Sequence, residues 1–140
     1  TMSIANPNCS IKTFEGCPNI SKKAEALFKE AKVSNIQIIV GNINTTLYDA
    51  KQVSEPFDLV FIDANHTYVD TLKYFFHIKT LLNKNSLIIF DDIHWSKEMN
   101  KAWKSIIEDT DITLSVETWN FGFVFFNNDL SKQHFILRKF

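Results

Sequence analysis

Hydrophobic and polar residues follow two patterns along this chain. Short apolar runs are typical of buried strands, and longer segments with an apolar residue every three or four positions are typical of helices. These patterns predict strands at 11–15, 36–40, 57–63 and 86–90, and helices at 21–31, 45–53, 68–82 and 96–109. Because strands and helices alternate, we expect an α/β fold of Rossmann-like type, with a doubly wound and mostly parallel sheet.

The last part of the chain departs from this alternation. Apolar runs at 112–118 and 121–126 are separated only by Trp119 and Asn120, which are too few residues for a crossover between parallel strands. They are therefore predicted to pair as an antiparallel hairpin, followed by a short strand at 134–137. Apolar residues face both sides of 121–126, so this strand is predicted to be buried on both faces or to lie at an interface, as in a homodimer.

Two of the predicted parallel strands end in acidic residues. The run 57–63 ends at Asp63, and the run 86–90 is followed by Asp91 and Asp92. Ligands of open parallel sheets bind beyond the carboxyl ends of the strands. Clustered carboxylates are also costly unless a cation, a donor-rich ligand or water compensates their charge. This edge of the sheet is therefore a predicted binding site.

Local signals fix the ends of the elements around this edge. Thr67 is predicted to cap the next helix, with Asp70 reaching back to its backbone, and Ser96 is predicted to cap the helix that follows Asp92. The polar stretch 83–85 is predicted to turn the chain into the second acid-tipped strand.

Composition restricts the class of function. With 140 residues, 45% of them hydrophobic, the chain is expected to form a single domain over 1–140. Fifteen basic residues balance 16 acidic ones, which disfavours nucleic acid as a partner and favours a small molecule. Apolar runs of strand length and the absence of a signal peptide predict no membrane association and a cytoplasmic location. Cys9 and Cys17 are expected to stay reduced, without metal-ligand spacing.

Three segments carry a resemblance to a known family. Lys12-Thr13-Phe14-Glu15-Gly16 is similar to a ribose-binding segment, Gly41-Asn42 to a turn that borders adenine, and Phe61-Ile62-Asp63-Ala64-Asn65-His66-Thr67-Tyr68 to the pattern Phe-Ile-Asp-Gly-Asp-His-Thr-Tyr. Together they resemble the class I S-adenosylmethionine-dependent methyltransferases, in the branch that methylates small molecules at oxygen. The resemblance spans about the C-terminal three quarters of that domain. It places the family's first strand and glycine-rich loop before residue 1, with that strand between 11–15 and 57–63. It thus predicts an N-terminally truncated chain.

The resemblance implies a site. S-adenosylmethionine would be bound by Glu15, Gly41, Asn42 and Asp63, with Glu15 and Asp63 facing one crevice. The acceptor would be a small molecule held in line with the methyl group. Asp63 would lie next to the reacting groups, and His66 would remove the proton from the acceptor hydroxyl, with His94 as a second candidate base.

A divalent cation is the alternative means of activating the acceptor. The neighbouring branch that the chain also resembles, the catechol and caffeoyl type, has an Asp-Asn pair at the second strand tip. This resemblance implies that Asp63, Asp91 and Asp92 would be the magnesium ligands here. This chain has Asp92 where asparagine is usual and His66 where lysine is usual, and both differences argue against magnesium.

Two other functions are open at this stage. Asp91 and Asp92 would suit a metal-dependent nucleotide-sugar transferase, although no basic cluster is apparent in the sequence to receive a diphosphate. The chain would alternatively be a non-catalytic Rossmann-like fragment. Because Gly16, Gly41 and Gly122 are far apart and form no cofactor loop, we expect this chain alone to bind the cofactor weakly or not at all.

Overall fold

The computed structural model describes residues 2–49, 53, 56–127 and 129–138. The chain divides into two compact units, residues 1–54 and residues 55–140. Each unit contains its own sheet and is described by itself. The single domain expected over 1–140 stays a prediction.

Over its described residues, the first unit is a two-stranded parallel sheet with three helices. Its elements are α1 (Met2–Ala5), β1 (Ile11–Glu15), α2 (Pro18–Glu30), β2 (Ile36–Val40) and α3 (Ile43–Thr46). Glu15 lies opposite Val40, so β1 and β2 end at the same edge. The long helix α2 follows β1 closely, because Pro18 at its start has a backbone already suited to a helix.

The helix predicted at 45–53 differs from the structure. It begins at Ile43, because the Asn42 side chain accepts a hydrogen bond from the backbone N–H of Asn44 and caps the helix two residues early. It ends at Thr46. Residues 50–52 of the predicted helix lie outside the described residues.

In the second unit, residues 56–127 and 129–138 form a five-stranded mixed sheet with two helices. Its elements are β3 (Phe57–Ile62), α4 (Tyr68–Lys79), β4 (Leu82–Phe90), α5 (Lys97–Ile107), β5 (Leu114–Glu117), β6 (Gly122–Phe125) and β7 (Gln133–Ile136). The strand order is β3-β4-β6-β5-β7. β3 and β4 are parallel, β6 is antiparallel to both of its neighbours, and β7 is parallel to β5. The α/β class and the terminal hairpin are confirmed.

The turn predicted at 83–85 is wrong. These residues belong to β4, which begins at Leu82 and is already paired with Phe57 of β3. The side-chain amide of Asn83 donates to Oδ1 of Asp58 at 2.6 Å, so a residue type common in turns serves here to join two strands. α4 correspondingly ends at Lys79, three residues earlier than predicted.

The sequence predicts one wound sheet, whereas the described strands form two. Within residues 2–49 and 56–127, β1 pairs only with β2, and β3 pairs only with β4. The strand that the resemblance places between β1 and β3 has no counterpart among the described residues.

The core of the second unit lies where α4 and α5 pack together over the sheet. Its largest fully buried side chains are those of Tyr74, Phe75, Phe90 and Trp103. Within the hairpin, Gly122 and Val124 are buried and Phe123 is partly buried, because β6 lies between β4 and β5. The predicted burial of this strand follows from its central position, and the homodimer stays a prediction.

Candidate functional site

In the first unit, Glu15 is the last residue of β1. Its Oε1 accepts a hydrogen bond from the backbone N–H of Cys17 at 2.7 Å, and its backbone carbonyl accepts from the N–H of Gly41 at 3.0 Å. Among the described residues, Oε2 of Glu15 has no hydrogen-bond partner. The carboxylate is therefore held in place through one oxygen and keeps the other for a donor from a ligand.

The Gly41-Asn42 turn lies beside Glu15 at the end of β2. Gly41 has a φ of +146°, and a Cβ at this position would lie 2.8 Å from Cγ2 of Thr46, so only glycine fits without strain. The side-chain oxygen Oδ1 of Asn42 is used in capping α3, where it accepts from the backbone N–H of Asn44. The turn therefore has a fixed backbone, and it has no side chain at Gly41 next to the acidic side chain of Glu15.

In the second unit, the loops after β3 and β4 contain unusual backbone geometry. Asn65, His66 and Asp92 have φ values of +57°, +43° and +54°. This left-handed region is unfavourable for residues other than glycine, and such residues cluster at functional sites. Three of them at the ends of two neighbouring parallel strands support the predicted binding edge.

His66 lies between two of the predicted acidic residues. Its Nε2 is 3.3 Å from Oδ1 of Asp63 and 3.8 Å from Oδ2 of Asp92. This nitrogen is buried and forms a hydrogen bond with neither carboxylate. A buried polar atom without a partner is uncommon in folded proteins and marks the place as a candidate for ligand binding.

Asp91 is used locally. Its backbone N–H continues the β3–β4 ladder to the carbonyl of Ile62 at 2.9 Å, and its Oδ1 accepts from the N–H of Asp92 at 2.9 Å. Over the part of the chain that the structure describes, no group of three or more histidine, cysteine or acidic side chains has the geometry of a metal site. The magnesium role of Asp63, Asp91 and Asp92 stays a prediction.

The starts of α4 and α5 are joined next to this edge. Thr67 and Ser96 cap the two helices as predicted. The Asp70 carboxylate, however, accepts from the Thr67 hydroxyl at 3.1 Å, so the predicted contact with the Thr67 backbone is wrong. Oε2 of Glu98 in α5 accepts from the N–H of Tyr68 at 3.0 Å, and this bond fixes the loop that carries His66.

Sequence reasoning missed Glu117, which is the partner of His94. Its Oε1 lies 3.1 Å from Nε2 of His94, and its Oε2 accepts from the indole N–H of Trp103 at 2.7 Å. Nε2 of His134 lies 3.8 Å from the same carboxylate, and Nδ1 of His134 is 2.8 Å from the Ser115 hydroxyl. Glu117 thus joins three side chains from α5, β7 and the loop after β4.

An open cleft of about 540 Å³ borders the outer face of α5. It begins at the loop after β4 and follows the helix for two turns. Its lining residues are His94, Trp95, Ser96, Lys97, Asn100, Lys101 and Lys104.

The sequence between residues 3 and 93 matches the model of a family described as a methyltransferase domain. This chain belongs to that methyltransferase domain family. The matched region contains the predicted cofactor residues Glu15, Gly41, Asn42 and Asp63, whereas His94 lies just beyond it. No curated protein has a sequence that matches this methyltransferase domain.

Solved structures with the same fold include three methyltransferases or cofactor-binding proteins. Cofactor-bound Rv0187 from MTB has 21% identity and a TM-score of 0.75, and the match covers 89% of this chain and 65% of that one. The O-methyltransferase TomG from Streptomyces achromogenes, in complex with SAM, has 20% identity and a TM-score of 0.73, covering 88% and 64%. An O-methyltransferase from Bacillus cereus, in complex with SAH, has 18% identity and a TM-score of 0.65, covering 83% and 61%.

This methyltransferase domain therefore spans slightly less than two thirds of the length of each of these three structures. At these identities the likeness shows a shared fold. Among its described helices, none has the length and apolar character needed to cross a membrane. The structure places Glu15 beside Gly41 in the first unit, and Asp63 beside His66 and Asp92 in the second. The crevice predicted for Glu15 and Asp63 stays a prediction.

Proposed function

We propose that this protein transfers a methyl group from S-adenosylmethionine to a hydroxyl group of a small molecule. The observation that carries the proposal is the methyltransferase family match over residues 3–93, which includes every residue predicted to bind the cofactor. The SAM or SAH present in two of the similar structures supports the choice of cofactor. The family match also disfavours the nucleotide-sugar alternative.

The described residues fit this cofactor chemically. Glu15 has a carboxylate oxygen that can accept from a ribose hydroxyl, and Gly41 has no side chain to obstruct a flat base. Asp63 is about half exposed and can balance a positive charge. When bound, S-adenosylmethionine supplies an electrophilic methyl group on a positively charged sulfur.

The geometry favours His94 as the base that accepts the proton of the acceptor hydroxyl. A carboxylate only accepts hydrogen bonds, so Nε2 of His94 must donate to Glu117, which leaves the lone pair of Nδ1 free to take a proton. Glu117 is itself fixed by the indole N–H of Trp103. His66 remains the alternative base, but its Nε2 forms a hydrogen bond with neither neighbouring carboxylate, so no such bond fixes its tautomer as Glu117 does for His94.

A cofactor titration tests the proposal. We expect millimolar S-adenosylhomocysteine to shift the backbone NMR signals of Glu15, Gly41, Asn42 and Asp63, even if affinity is weak. Glu15→Gln should reduce the affinity about tenfold, because glutamine can still accept a hydrogen bond but loses the charge, a difference of roughly 1–1.5 kcal/mol.

Asp58→Asn is the matched control, because Asp58 is an exposed acid of β3 whose partner is the side chain of Asn83. This substitution should leave the affinity unchanged. Shifts confined to residues other than these four, or an affinity unaffected by Glu15→Gln, would contradict the proposal and favour a non-catalytic domain.

A further inference from the structure

We propose that the cleft beside α5 binds an aromatic ring bearing an anionic substituent, and that this molecule is the methyl acceptor. The assignment of the molecule as acceptor rests on the proposed function. The binding itself rests on the charge, the aromatic surface and the position of the cleft.

Every titratable residue of α5 that lines the cleft is a lysine, so this side of the cleft is positively charged. Lys97, Lys101 and Lys104 follow one another at intervals of four and three residues, so they lie on one face of the helix. No carboxylate among the described residues pairs with any of them, although Lys101 lies over the Tyr68 ring at 4.4 Å. Neighbouring like charges destabilise a helix. A bound anion would relieve this repulsion.

Lys79 of the same unit provides a contrast with the lysines of the cleft, because it is paired with carboxylates. Lys79 on α4 contacts both Asp109 and Asp111, at 2.8 and 2.7 Å. Glu98 is the acidic residue of α5 nearest to the cleft, but its carboxylate accepts from the backbone of Tyr68 and does not line the cleft. The N-terminal end of α5 adds the positive end of the helix dipole to this surface.

Trp95 provides the aromatic surface. Its side chain is among the most exposed large hydrophobic groups of the unit, at 74% of the residue's surface. Its backbone N–H donates to the carbonyl of Asp92 at 2.9 Å, which anchors the residue beside the acidic edge. An indole presented in this way offers a face on which an aromatic ligand can stack. The cleft is open to solvent, and its volume of about 540 Å³ leaves room for a substituted aromatic ring.

The position of the cleft connects it with the proposed chemistry. His94 lines the cleft and is the same residue whose ring is held by Glu117. A ring stacked on Trp95 with its anionic group near Lys101 would lie beside the base that accepts the proton of the reacting hydroxyl. The three lysines would then select acceptors by charge.

Titrations in the absence of cofactor test the binding. The probes are 4-hydroxybenzoate, phenyl phosphate and the neutral 4-methylphenol, followed through the indole N–H signal of Trp95. We expect both anions to bind about tenfold more tightly than the neutral phenol, with affinities that fall as salt is added. Comparing the affinities of 4-hydroxybenzoate and phenyl phosphate shows whether the cleft prefers a carboxylate or a phosphate.

Substitutions assign the binding to the cleft. Lys97→Gln, Lys101→Gln and Lys104→Gln should each weaken anion binding about two- to fivefold, as expected for exposed charges. Trp95→Ala lacks the indole signal and is followed instead through the backbone N–H signals of Lys97 and Lys101, and it should bind all three probes more weakly. Lys84→Gln, at an exposed lysine of β4, is the matched control and should have no effect.

Equal affinities for anionic and neutral probes, or anion affinities unchanged by all three lysine substitutions, would overturn the inference. Because these titrations contain no cofactor, that failure is separate from failure of the S-adenosylhomocysteine titration. If the anions bind but the cofactor does not, the cleft is confirmed as an anion-binding site, and only the assignment of its ligand as the methyl acceptor is contradicted.

Discussion

Gly122→Ala tests the packing that holds Glu117 and the hairpin in place. A Cβ on Gly122 would lie 2.5, 2.6 and 2.8 Å from three outer carbons of the Trp103 indole. Carbon atoms in contact are normally about 3.5–4.0 Å apart, so the methyl group would overlap all three by roughly 1 Å. The glycine is therefore required by space, since its φ does not lie in the left-handed region.

The Trp103 indole has little room to move away from an added methyl group. Trp103 is 2% exposed, its N–H is bonded to Glu117 at 2.7 Å, and its ring packs near that of Phe90. Overpacking a rigid core costs about 3 kcal/mol. Alanine also lowers the conformational entropy of the unfolded chain, which stabilises the folded state by roughly 0.4–1 kcal/mol. We therefore expect Gly122→Ala to lower the free energy of unfolding by about 2 kcal/mol.

Urea unfolding followed by far-UV circular dichroism measures this change. Gly16→Ala is the matched control, because a Cβ there would make an ordinary 3.8 Å contact with the Gly41 carbonyl. In a Trp103→Phe background, which lacks the outer indole carbons, Gly122→Ala should cost less than about 0.5 kcal/mol. The reasoning is refuted if Gly122→Ala behaves like Gly16→Ala, or if its cost is the same in both backgrounds.

Two further predictions concern a histidine and a lysine. His94→Asn should lower the rate of methyl transfer from S-adenosylmethionine to a phenolic acid about 10²- to 10⁴-fold. The affinity for S-adenosylhomocysteine should not change. If the rate falls only in His66→Asn, His66 is the base. For Lys79, burial opposes the charge, but Asp109 and Asp111 outweigh it and raise its pKa above the usual 10.5. The stabilisation from this charge should be complete below pH 10.5 and should disappear as the pH rises through the raised pKa. Urea unfolding of Lys79→Met should therefore show a smaller loss of stability at alkaline pH than the wild type. Equal losses in both proteins would contradict this prediction.

Local chemistry made much of the fold predictable. The caps of α4 and α5 act over three residues, so Thr67 and Ser96 could be recognised in the sequence and the helix starts were confirmed. The hairpin was predictable because Trp119 and Asn120 leave no room for another connection.

Interactions between distant residues could not be predicted in this way. The polar stretch 83–85 has the composition of a turn, but in the structure it lies within β4, at a shift of the β3–β4 register where the Asn83 side chain bonds Asp58, 25 residues away. Glu117 is 14 residues from Trp103 and 23 from His94, and only the packing of α5 against the hairpin brings these groups together. No periodicity or short motif contains such information.

The near balance of acidic and basic residues also conceals how charge is distributed in the second unit. The proposed acidic edge contains Asp63 and Asp92, whereas the cleft beside α5 contains three lysines without carboxylate partners among the described residues. The loop from Asp92 to Trp95 joins the two surfaces, because the Trp95 N–H is bonded to the Asp92 carbonyl. A positively charged methyl donor and an anionic acceptor would each meet a surface of opposite charge. Since these charges cancel in the total of −1, net charge argues against an extensive basic face but carries no information on a pair of small, opposed sites.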